Sequence, residues 1–142
     1  MTATELQQTI LDNIPLSGHM GYTITALSEQ HIHVCAPLAN NINIHGTAFA
    51  GSLYSLATLT AWGLTYHMLQ CHTPGTTVVL KEATIQYRAP ITSDISCNCT
   101  VADETRQTFL ETLQAHGRSH LTLNVTINQA THWQGTLTAF HE

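Results

Sequence analysis

Between Leu53 and Leu69 the chain carries an apolar run with a helical period, and its apolar residues cover almost the whole circumference. Leu53, Leu56, Ala57, Thr60, Ala61, Leu64 and Met68 recur at spacings of three and four, which is the α-helical repeat. Leu59, Trp62 and Tyr66 occupy the opposite face. A helix that is apolar all round is stable only when protein wraps it or lipid surrounds it. Ser55, Thr58, Thr60, Gly63, Thr65 and His67 interrupt the run, and no basic flank adjoins it. That speaks against a membrane span. The rest of the chain must therefore be a layer that covers this helix. Ser52 stands just before the run, and its hydroxyl is predicted to cap the helix by accepting from a first-turn N–H.

The 142 residues are expected to form one domain, residues 1–142, with a single core. Hydrophobic residues reach 43% while charged residues reach only 9%, far below the usual quarter. No Asp, Glu, Lys or Arg lies between Gln30 and Leu80. So long an uncharged segment is hard to keep soluble unless another copy of the chain covers part of it, so a dimer or dimer of dimers is expected. Four basic residues against nine acidic ones argue against a nucleic-acid surface, which needs clustered Lys and Arg. Met1 to Ile14 carries Glu5 and Asp12 and no basic residue, unlike a signal peptide. A cytoplasmic protein is expected. Cys35, Cys71, Cys97 and Cys99 form no Cys-x-x-Cys pair and read as free thiols packed like small hydrophobes.

Taken in order, Thr4 is predicted to cap a short helix that Pro15 ends. Gly21–Leu27 and His31–Ala36 read as antiparallel strands turning at Glu29-Gln30, because apolar residues alternate there. The central helix runs to about Cys71-His72, where Thr73-Pro74-Gly75 breaks it. Four strands are predicted next: Thr76–Ala89, Ile95–Ala102, Ser119–Ile127 and Trp133–Phe140. Asp103–His116 is polar with scattered apolar residues and reads as a long connection with one or two helical turns. The outcome is an α+β layer, strands beside one buried helix.

Asn41-x-Asn43-x-x-Gly46-Thr47-x-Phe49-x-Gly51-Ser52, then Leu59-Thr60-Ala61-Trp62-Gly63, then Tyr87-Arg88-Ala89-Pro90 together resemble the thioesterase family of the YiiD C-terminal type. The resemblance covers nearly the whole chain. It implies the hotdog fold, a curved antiparallel β-sheet wrapped around one long central helix. It also implies a homodimer whose sheets join edge to edge, with an acyl-CoA or acyl-carrier-protein thioester held at the subunit interface. Coenzyme A would enter only as part of the substrate. No metal is expected: His67, Cys71 and His72 have helical spacing, but no further ligand follows.

Thioester hydrolysis needs a polarised carbonyl, a positioned water and a proton acceptor. The helix start at Gly51-Ser52 offers free N–H groups and the positive end of the helix dipole, and glycine admits a close approach, as an oxyanion hole requires. Asn43 and His45 are candidates to orient water, polarise the carbonyl or accept the proton. Asn41, Gly46, Thr47, Phe49, Thr58 and Tyr87, on or beside the three motifs, are the substrate-binding candidates. Many hotdog thioesterases place a carboxylate in the central helix, whereas Leu56-Ala57-Thr58-Leu59 has none. Glu82 is the nearest substitute, reaching a site built from two subunits. The competing reading is a non-catalytic acyl-CoA-binding protein that kept the pocket and lost the acid. A hydratase on the same fold fits less well, because it needs that same carboxylate or a His-Asp pair.

Overall fold

The computed structural model describes residues 1–141. Two short helices open it, α1 (Ala3–Asn13) and α2 (Pro15–Met20). The cap of α1 is Thr2 rather than Thr4. Glu5 N–H donates to Thr2 Oγ1 at 3.1 Å and Thr2 N–H donates to Glu5 Oε2 at 2.9 Å, a capping box worth about 1 kcal/mol. Leu6 and Ile10 supply its buried face. Pro15 does end α1, but it also starts α2, which the sequence reading lacked, because proline's fixed φ and missing N–H suit a first helical residue.

The remaining elements are β1 (Thr23–Leu27), β2 (His31–Ala36), a 3-10 turn (Leu38–Asn41), α3 (Ala50–His72), β3 (Thr77–Tyr87), β4 (Ile95–Thr100), α4 (Asp103–His116), β5 (Arg118–Ile127) and β6 (Thr131–Phe140). The six strands form one antiparallel sheet ordered β1-β2-β4-β5-β6-β3. Helix α3 packs against β2, β3, β4, β5 and β6, so the sheet wraps it as the resemblance implied. The buried side chains of both form one continuous core. The four last strands are not a simple meander, since β3 lies at the far edge beside β6 while β4 pairs with β2.

Alternation explains most of the sheet. Along β5 every second residue is buried, ending with Leu121, Leu123, Val125 and Ile127. On β4, Cys97 and Cys99 face the core, where burial pushes both thiols up to about 12. Only these two cysteines are buried; Cys35 is half-buried and Cys71 exposed. Asp103–His116 is a full helix, not a connection with a stray turn. Two of its residues, Phe109 and Leu113, are buried, and that is enough to hold it against β5.

Two glycines create room. A Cβ on Gly63 would come within 3.2 Å of the Tyr22 hydroxyl and 3.3 Å of Ile32 Cδ1, so α3 approaches β2 closely there. Tyr22 donates to Leu59 O of that helix at 3.2 Å. On β6, a Cβ on Gly135 would lie 2.3 Å from the ring of the fully buried Trp133. That absence of a side chain lets the indole lie along its own strand.

Candidate active site at the start of the central helix

The polar loop before α3 folds on itself through one asparagine. Asn43 Oδ1 accepts from His45 N at 2.9 Å and from Thr47 N at 3.1 Å, while Nδ2 donates to Thr47 Oγ1 at 2.8 Å. Asn43 N–H donates to Thr47 O at 2.8 Å, and Gly46 takes a left-handed φ of 79° at the tip, which only glycine adopts without strain. Asn41 braces the base of the loop. Its buried side-chain NH2 donates to Met20 O and Pro37 O, both at 2.8 Å, its backbone carbonyl accepts from Phe49 N at 2.7 Å, and its Oδ1 is buried without a partner. Both asparagine NH2 groups are thus committed to holding the loop, as is the Oδ1 of Asn43.

Helix α3 begins at Ala50, with Phe49 as its cap residue and no side chain capping it. Ser52 is therefore inside the first turn and is not the cap. Phe49 is extended, with φ −70° and ψ 130°, and its carbonyl accepts the first helical bond, from Leu53 N at 3.1 Å. The N–H groups of Ala50, Gly51 and Ser52 have no acceptor among the described residues. Three free donors at the positive end of a 23-residue helix attract developing negative charge. The Phe49 ring lies over Gly51: a Cβ there would sit 2.6 Å from Phe49 Cε2.

A cleft of about 320 Å³ adjoins this helix start, lined by Asn43, Thr47, Ala50, Leu53, Tyr87 and Arg88 among others. Its two walls are joined by hydrogen bonds. Ala48 N donates to Ile91 O at 2.8 Å, and the Tyr87 hydroxyl donates to Ala50 O at 2.9 Å. Burial first, and then the neighbouring Tyr54, push the Tyr87 phenol above its ordinary value, so it stays a donor. Asn43, Thr47 and Tyr87 thus meet at one cleft beside Gly51, with the exposed Gly46 and His45 at the loop tip.

Glu82 does not join them within this chain. The register of β3 against β6 shifts between Leu80 and Glu82, a bulge at Lys81. Without it Glu82 would share the inward phase of Val78 and Leu80. With it, Glu82 pairs with Thr136 on the outer face of the sheet, and Ala83 and Ile85 turn inward instead. Among the described residues Glu82 makes no ion pair. Thr58 lies on the half-buried face of α3, and its hydroxyl is buried without a partner. The sequence reading missed Ala50 and Ile91, whose contributions are backbone groups and leave no mark on residue type.

An antiparallel sheet wrapped around one long helix defines a hotdog-fold protein. Solved structures show the same arrangement. A protein of unknown function from Chlorobaculum tepidum superposes with a TM-score of 0.93 at 25% identity, covering 99% of this chain and 94% of that one. A "putative thioesterase" from Shewanella oneidensis gives 0.86 at 32% identity, covering 99% and 97%. A Haemophilus influenzae thioesterase at 16% identity shares the fold, with a TM-score of 0.73 over 99% and 92% of the two chains. Residues 3–140 match the family model described as "Putative thioesterase (yiiD_Cterm)", and the chain belongs to that family. No helix is long and apolar enough to cross a membrane among the described residues.

Proposed function

We propose that the protein hydrolyses an acyl-CoA or acyl-carrier-protein thioester at the start of α3, in a site that a second copy of the chain completes. The observation that carries this is the row of unpaired N–H groups at Ala50, Gly51 and Ser52 beside the cleft. Water attacks the thioester carbonyl carbon and gives a proton to the base. The oxygen becomes an oxyanion held by those donors. The carbon–sulfur bond then breaks, and the leaving thiolate recovers the proton.

A second copy is supported by the edge strand β3, which pairs with β6 alone. Its Val79 and Tyr87 are 44% and 46% exposed, and the loop beside it exposes Ile44 at 95% and Phe49 at 53%. Such an apolar rim at a sheet edge suits a partner. Joining copies there would also give Glu82, on the outer face, a route to the neighbouring copy's site. His45 at the loop tip is the other candidate base. The competing reading, acyl-CoA binding without turnover, is favoured by one observation: α3 carries no carboxylate.

Thiol release from a panel of acyl-CoAs separates the two. Release at some chain length supports hydrolysis, and binding without release at every length supports the binding protein. A proton acceptor contributes roughly a hundredfold or more in rate, so His45→Ala and Glu82→Gln should differ by that factor if one of them is the base. If both keep normal release, water held by Asn or Thr replaces them in the scheme.

A further inference from the structure

On the outer face of β1, β2 and β4, polar side chains are tied together across the strands. Ile32 and Val34 of β2 are buried, so His31 and His33 point outward. On β4 the burial of Cys97 and Cys99 turns Ser96 and Asn98 outward in the same way. His33 stands opposite Asn98 in register, and its Nε2 reaches diagonally to Ser96 Oγ at 2.7 Å. His31 repeats this diagonal two residues back, with Nε2 at 3.2 Å from Asn98 Oδ1.

The tautomer of His33 is set from β1. The register of β1 shifts between Ile24 and Ala26, and the Thr25 hydroxyl at that irregularity bonds His33 Nδ1. The same hydroxyl donates to His33 O at 3.3 Å. Its oxygen is therefore left to accept, and the ring hydrogen sits on Nδ1. Nε2 is then bare and accepts from the Ser96 hydroxyl. A hydroxyl in reach of a base whose far nitrogen is itself oriented is the arrangement that activates a serine.

Ser96 lines a cleft of about 590 Å³ together with Asn98, Thr126 and Asn128. Its backbone N–H is fixed by Asn128 Oδ1 at 2.7 Å. With Asn98 Oδ1 taken by His31, the Asn98 NH2 has no acceptor among the described residues. Ser96 and Asn98 are next but one on the same face, roughly 6.6 Å apart along the strand. An attacked carbonyl spans about that distance: roughly 3 Å from nucleophile to carbon, about 1.2 Å of C=O and roughly 3 Å from oxygen to donor.

We infer that Ser96 is the nucleophile of a second, ester-cleaving site, with His33 as its base and Asn98 as donor to the oxyanion. Thr25 and His31 are positioning residues. None of these side chains takes part in the thioester scheme at α3. Among the described residues Asp94 is the one charged side chain lining the cleft, and its carboxylate repels anionic esters. The substrate class is a small polar ester, neutral or cationic. Ser96 Oγ bonds the carbonyl carbon and its proton passes to His33 Nε2. The bond from carbon to the alcohol oxygen breaks, and the alcohol leaves with that proton. Water then attacks the acyl-serine, again through His33, and Oγ recovers its proton as the carboxylic acid departs.

The test uses the full chain and an uncharged alkyl fluorophosphonate, a reagent for activated serines. Oγ bonds phosphorus, the P–F bond breaks, and fluoride leaves with the proton passed through His33. Peptide mass spectrometry locates the adduct, and p-nitrophenol release from p-nitrophenyl acetate gives turnover. A single adduct on Ser96 is expected, absent in Ser96→Ala. His33→Ala should slow both readouts by roughly a hundredfold or more, and Asn98→Ala by about a hundredfold. Thr25→Val keeps the branched shape and loses the hydroxyl, so it should slow labelling about tenfold or more, since the imidazole then loses its fixed tautomer. Thr25→Ser loses the shape and keeps the hydroxyl, so it should restore the rate. If His33→Ala does not fold, the two Thr25 variants decide. No adduct, an adduct on the half-buried Cys35 or on scattered serines, or a Ser96 rate that Thr25→Val leaves within threefold of the parent overturns the proposal.

Discussion

Gly51 is helical and not in the left-handed region, so its lack of a side chain serves access, not backbone freedom. Gly51→Val tests this. The new Cβ would lie 2.6 Å from Phe49 Cε2 and 2.9 Å from Cζ. Ordinary contact needs 3.4–4 Å, so the ring must recede by roughly 1 Å. Phe49 is 53% exposed, and its ring can turn into solvent at small cost. Valine is also a better helix residue than glycine by a few tenths of a kcal/mol, so stability should stay within about 1 kcal/mol of the parent. Turnover should not. A branched side chain beside the free N–H groups holds a thioester oxygen out of reach. The loss should approach that of a missing oxyanion donor, about 2.7–4 kcal/mol or 10²–10³ in rate. Thiol release and thermal melts on the same preparations give both quantities. A double variant with Phe49→Ala removes the collision; if it stays inactive, the loss comes from the blocked approach and not from the displaced ring. A folded Gly51→Val protein with turnover within threefold of the parent would refute the reasoning.

Gly135→Ala looks milder on paper but should be far more damaging. Its Cβ would meet the Trp133 ring at 2.3 Å, and that ring is completely buried, so the strand must distort. A cost of about 3 kcal/mol is expected, read as a fall in Tm of about 10 °C. Glu29 gives a pH dependence. Burial alone would raise its carboxyl, but the hydrogen bonds and charges of His72 and Arg106 outweigh this and hold it below the usual carboxylate range. A lowered folded-state value stabilises above the unfolded value and fades as pH falls through the folded one. Glu29→Gln should therefore be less stable near neutral pH, by at most about 1 kcal/mol for a half-buried group that solvent still reaches. The gap should close in acid; a gap that widens there would contradict the sign.

Residues whose side chains faced one environment along a whole element were readable from sequence. Helix α3 was clear because its period is unbroken over five turns, and β5 because Leu121, Leu123, Val125 and Ile127 never change phase. The misreadings have local causes. The bulge at Lys81 switches the phase of β3 midway, so no single alternation describes Val79 and Ile85 together, and Glu82 ends on the face opposite the helix. Helix α4 buries only Phe109 and Leu113 in fourteen residues, too narrow a stripe to announce itself. Ser52 was a plausible cap, yet the bond of Phe49 N to Asn41 O pulls the chain into helix three residues earlier. In the candidate site, Gly51 could be singled out from sequence because it directly precedes the apolar helical run. The candidate donors are backbone groups, which residue type does not mark.

The two cysteines of β4 have a practical consequence. Burial pushes the thiols of Cys97 and Cys99 well above the ordinary cysteine value, so they carry far less reactive thiolate than a free cysteine at neutral pH. Both are also shut away against the helix, whereas Cys71 stands in solvent. An alkylating reagent will consume Cys71 at once and reach the β4 pair only when the sheet parts from α3. The slow phase of that labelling is a built-in clock for opening of the core, and it needs no engineered probe.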